Sequence, residues 1–69
     1  MTDGYITAVR PRDVATEVEA ARTGGCTRFT LRSVDGGGML DQERLGAARY
    51  AAGLQSVVEL EPTLAAQRR

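Results

Sequence analysis

One stretch of this chain has both the composition and the position for ligand chemistry: Asp35-Gly36-Gly37-Gly38-Met39-Leu40-Asp41, between a strand-forming run and a helix-forming run. Glycines in a strand-to-helix turn can present backbone N–H groups to an anion, and the positive end of the helix dipole adds to the attraction. Gly36, Gly37 and Gly38 are therefore the candidate anion-binding residues, and the ligand would be a phosphate or a nucleotide. The spacing departs from a dinucleotide fingerprint, because in the G-x-G-x-x-G register Asp41 stands where the third glycine belongs. A carboxylate there repels a pyrophosphate, although Glu59 and Glu61 do follow at about the twenty-residue distance of a ribose-binding acid. A Walker loop needs a lysine, and the chain has none. The simpler reading of the three glycines beside Asp35 is a turn that requires positive φ.

Other chemistry is excluded by missing residue types. Cys26 follows Gly24-Gly25, but there is no histidine to activate a thiol, or to serve as base for Ser33 or Ser56. Arg28 shares a strand face with Cys26 and could stabilise a thiolate, yet a small core cysteine is the better reading. One cysteine without histidine leaves only carboxylates for a metal, so a hard cation between Asp35 and Asp41 is the most that could be held. Those two aspartates are expected to be turn and cap residues instead. The acids Asp35, Asp41, Glu43, Glu59 and Glu61 lack the deep core needed to separate their pKa values for acid–base catalysis. No enzyme activity, metal or cofactor is expected.

Nine arginines balance nine acidic residues, so the chain lacks the basic excess of a nucleic-acid binder or of a polybasic membrane anchor. No apolar run is long enough to span a membrane, and no leader pattern is present. A lone cysteine cannot form an internal disulfide, which points to a cytoplasmic protein. Sixty-nine residues make one domain, 1–69, and 42% hydrophobic content in which alanine is the commonest residue gives it a thin core. A core this small predicts help from self-association or from a partner.

The elements that would position these residues alternate. Tyr5–Val9 reads as a strand stopped by Arg10-Pro11. From Asp13, the positions Val14, Val18 and Ala21 recur at helical spacing, until Gly24-Gly25 ends the run. Cys26–Val34 alternates, with Thr27, Phe29, Leu31 and Ser33 on one face and Arg28, Thr30 and Arg32 on the other. Asp41–Ala52 reads as a second helix capped by Asp41 and ended by Gly53 in a left-handed conformation. Ser56–Glu61 is the third strand, and the segment from about residue 63 is a helical turn or a frayed tail. The expected fold is α/β, a single small β-α-β-α-β domain with a three-stranded sheet in the order 1-2-3 and both helices on one face. Its other face is expected to carry Arg28 and Arg32 paired with Glu59 and Glu61.

The second helix supplies the functional reading. Leu45, Ala48 and Ala52 make one apolar stripe, while Ala47, Tyr50, Ala51 and Leu54 make another on nearly the opposite side. A helix apolar on two sides is usually covered on both. The chain is therefore read as a non-enzymatic protein–protein interaction or regulatory module. It would be a homodimer or an accessory subunit of a larger protein, in contact through Ala47, Tyr50, Ala51 and Leu54. A small anion or nucleotide sensor using Gly36–Gly38 is the alternative. Gly46 in mid-helix costs about 1 kcal/mol relative to alanine, and a close helix contact is the expected reason for it.

Overall fold

The computed structural model describes residues 3–61, so the expected tail lies outside the described residues. Strand β1 (Asp3–Ile6) leads through helix α1 (Pro11–Thr23) to β2 (Arg28–Leu31), and helix α2 (Met39–Ala52) then leads to β3 (Val57–Leu60). The sheet has the order β1-β2-β3 with both neighbouring pairs parallel, as the β-α-β-α-β pattern requires. Register places Gly4, Phe29 and Val58 in one row and Ile6, Leu31 and Leu60 in another. These rows meet Val14, Val18, Leu45, Ala48, Ala51 and Ala52 in a single core, which puts both helices on one side of the sheet.

The first strand is displaced from the run predicted by β propensity. It begins at Asp3 and leaves the ladder after Ile6, because the N–H groups of Thr7 and Ala8 turn to the Glu17 carboxylate, at 3.3 and 3.1 Å. Gly4 belongs to this strand for a steric reason. A Cβ there would lie 3.2 Å from the Phe29 ring and 3.4 Å from Ala21 Cβ, so the missing side chain is where the aromatic ring sits. Helix α1 begins at Pro11, whose absent N–H is harmless in the first turn. Thr23 ends it, and Cys26 N–H bonds back to the Ala21 carbonyl. Arg22, in its last turn, donates to the Ala51 carbonyl at 3.0 Å and so ties the end of α1 to the end of α2. Gly53 has the positive φ expected of it, at 91°, but its ψ of 169° is extended rather than left-handed helical. This glycine-only conformation turns Leu54 away from the helix.

No helix among the described residues is long and apolar enough to cross a membrane. Gly46 is exposed, and a Cβ built on it meets nothing within 4 Å. Among the described residues the expected close approach is not made, and the propensity cost remains. Gly46→Ala should raise unfolding stability by about 0.5–1 kcal/mol, read as a higher urea midpoint at unchanged slope.

Candidate functional site

The strand-to-helix loop is built around two carboxylates. Asp35 Oδ1 accepts the N–H groups of Gly38 and Asp41, both at 3.1 Å, and its Oδ2 accepts Leu40 N–H at 2.9 Å. Asp35 thus caps α2 from outside the helix, which is why the helix starts at Met39 rather than at Asp41. Gly36 and Gly37, at φ of 67° and 86°, carry the chain through the reversal that this requires.

Asp41, expected to be the cap, is instead wholly buried together with Arg44 one turn later; both side chains are 0% exposed. The Asp41 carboxylate accepts the Ser33 hydroxyl at 2.7 Å, Gly37 N–H at 2.7 Å and Val34 N–H at 3.0 Å. Its Oδ1 also takes Arg44 Nη1 at 2.9 Å. Burial alone would raise its pKa, but the bonds from Val34, Ser33 and Gly37 outweigh burial and hold the carboxyl well below its ordinary 3.8. Arg44 also donates to backbone: Nε and Nη2 to the Ala8 carbonyl at 2.9 and 2.6 Å, and Nη1 to the Arg32 carbonyl at 2.6 Å. One guanidinium therefore joins the ends of β1 and β2 to the first turns of α2. Among the described residues no buried side-chain nitrogen or oxygen is left without a partner.

This network lies beyond the carboxyl ends of the strands, where open α/β sheets ordinarily take ligands. Here the chain's own side chains fill the place. Gly36 N–H goes to Ser33 Oγ at 3.2 Å, Gly37 N–H to Asp41 and Gly38 N–H to Asp35. A phosphate entering at Gly36–Gly38 would have to displace two carboxylates from the amides that it needs, and would meet their charge. The same occupancy bears on a hard cation between Asp35 and Asp41, whose oxygens already face N–H donors. No group of three or more His, Cys, Asp or Glu residues is placed for a metal among the described residues.

The proposed contact surface is redrawn by the structure. Tyr50 is 91% exposed and Leu54 105%, Ala47 is half-buried, and Ala51 is only 5% exposed. Ala51 belongs to the core and not to the surface: with Asp41, Arg44, Leu45, Ala48 and Ala52 it forms one broad inward stripe. Leu54 lies past the end of α2, in the turn leading to β3. There it borders a shallow groove of about 510 Å³ with Arg22, Cys26, Thr27 and Ser56. Cys26 is half-buried and unpaired with another cysteine.

The outer sheet face carries Asp3, Tyr5, Arg28, Thr30, Val57 and Glu59, in two rows set by the register. The expected pairing of Arg28 and Arg32 with Glu59 and Glu61 does not form; the ion pair among the described residues is Asp41–Arg44. Register puts Val57 beside Arg28 and Thr30 beside Glu59, which separates that pair. Glu61 accepts the Tyr5 hydroxyl across the sheet. That hydrogen bond raises the Tyr5 pKa, with burial and the carboxylate charge adding to it and Arg32 opposing.

Comparisons with protein-family models, with curated proteins and with solved structures match nothing.

Proposed function

We propose that this chain is a non-enzymatic interaction module that associates with a second copy of itself, with Tyr50 and Leu54 as its main apolar contacts. The observation that carries this reading is the exposure of these two large side chains beside a core made largely of alanine and valine. Full exposure leaves most of their apolar area in water, and covering it is favourable by about 25 cal/mol per Å². Zero net charge removes long-range repulsion between copies.

Sedimentation equilibrium tests this directly. Tyr50→Glu should raise the dissociation constant of the wild-type dimer at least ten-fold, which corresponds to about 1.4 kcal/mol. It should leave the circular dichroism spectrum unchanged, because the side chain is almost wholly exposed. Equal self-association of variant and wild type would remove Tyr50 from the contact.

A further inference from the structure

We infer that the second copy joins along the outer face of α2, with the two helices antiparallel about a two-fold axis at Gly46. This rests on the self-association reading and adds its surface, its orientation and its centre.

Helix α2 turns Asp41, Arg44, Leu45, Ala48, Ala51 and Ala52 inward. At about 3.6 residues per turn, the opposite line of the helix runs through Gly46, with Met39, Gln42, Glu43, Arg49 and Tyr50 close to it on either side. All six of these outer residues are exposed. Met39 is 80% exposed and Tyr50 91%, and Leu54, just beyond the helix, is 105% exposed. The three most exposed large apolar side chains of the described residues thus belong to α2 and its end instead of being scattered, which is the pattern of an interaction surface. Gly46 sits at the centre of this face at a cost in helix stability, and within the chain a Cβ built on it meets nothing within 4 Å. A second helix crossing there accounts for the glycine. With no side chain at the contact point, two helix axes can approach to the short end of their usual range of about 8–10 Å.

Charge then selects the orientation. Glu43 and Arg49 each stand three residues from Gly46, on opposite sides of it. In an antiparallel pair the two-fold axis brings Glu43 of one copy level with Arg49 of the other, and the contact occurs twice. A parallel pair would set Glu43 beside Glu43 and Arg49 beside Arg49. Among the described residues the ion pair within the chain is Asp41–Arg44, so the charges of Glu43 and Arg49 are left for a neighbour. The same axis carries Met39, seven residues before Gly46, to the level of Gly53, seven after it. Met39 of one copy then lies between Tyr50 and Leu54 of the other. A helix of 14 residues is about 21 Å long, and a pair of that length covers less than a standard interface, so the dimer is concentration-dependent rather than permanent.

Sedimentation equilibrium on two sets of variants tests it. Gly46→Gln favours helix and has open space within the chain, so it should raise the urea midpoint of the dilute monomer. At the same time it should raise the dimer dissociation constant by about ten-fold or more, because it pushes the two helices apart. Glu43→Arg and Arg49→Glu should each weaken the dimer by about five-fold or more, and the double variant should return to within about two-fold of the wild type. Single reversals that weaken the dimer with no recovery in the double variant overturn the antiparallel pairing. A dimer that Tyr50→Glu weakens, but that Gly46→Gln and both single reversals leave unchanged, overturns the α2 seam and leaves self-association standing. A wild type monomeric at every concentration overturns both.

Discussion

Replacing Arg44 by methionine is expected to remove most of the stability of the fold. The substitution keeps much of the side-chain volume but leaves the Asp41 carboxylate buried without its cation. It also leaves the Ala8 and Arg32 carbonyls without the donors that now serve them. Breaking a buried ion pair by deleting one partner typically costs about 3–5 kcal/mol. A domain of this length has about 3–10 kcal/mol in total. Arg44→Met should therefore be largely unfolded in dilute buffer at 25 °C by circular dichroism, whereas the same change at exposed Arg49 should shift stability by no more than about 0.5 kcal/mol. Removing both partners should not rescue the fold, as it does for simple buried pairs. Asp41 also holds Ser33, Val34 and Gly37, and those groups would lose their acceptor. A urea midpoint for Arg44→Met within about 0.5 M of the wild type, on slopes typical of small domains, would show that the pair is not what fastens the strand ends.

The second large effect is acid lability. The folded state holds the Asp41 carboxyl below its ordinary value of 3.8, so in the folded protein the ionised form is favoured more than in the unfolded chain. Below pH 3.8 the unfolded chain takes up a proton that the folded one resists. The stabilisation is complete well above that pH and is lost progressively as pH falls below it. Denaturation midpoints should accordingly hold steady from neutral pH to about 5 and fall steeply under about 4. Asp41→Asn should start from a much lower midpoint and lose the steep part of the profile. If the wild-type and Asp41→Asn profiles run parallel between pH 2 and pH 5, Asp41 is not the group that sets acid stability.

These two effects centre on residues whose role was only half visible in the sequence. Element order and strand faces were legible because Phe29 and Leu31 alternate with Arg28 and Thr30, and because Val14 and Val18 keep helical spacing. Proline at position 11 and the glycine pairs fixed where the elements change. The ends were less legible, since long-range partners decide them. Glu17 draws Thr7 and Ala8 out of β1, and Asp35 reaches forward to start α2 early. Propensity counts Gly4 against a strand, yet Phe29 needs the space above it. At the loop, aspartates flanking glycines were readable as turn and cap residues, with their roles exchanged between Asp35 and Asp41. Arg44 did leave a signal: it stands four residues before Ala48, on the inward stripe, three after Asp41. A charge on a core stripe with an opposite charge one turn away marks a buried pair, but alanine-rich helices blur which stripe faces inward. The same blur placed Ala51 with Tyr50, whereas packing on the sheet takes it into the core.

Among the described residues, the large apolar side chains most exposed after the core and the loop are satisfied are Leu54, Tyr50 and Met39. Chemistry at the glycine loop would have to compete with Asp35 and Asp41 for the same N–H groups. Tyr50 and Leu54 are already exposed. Native mass spectrometry of the wild-type chain over a concentration series, with and without inorganic phosphate, tests this contrast most directly. The account predicts a dimer that grows with concentration, carries no adduct and is indifferent to phosphate. A monomer at every concentration, bearing a phosphate or nucleotide adduct, would contradict it and transfer the function to Gly36, Gly37 and Gly38.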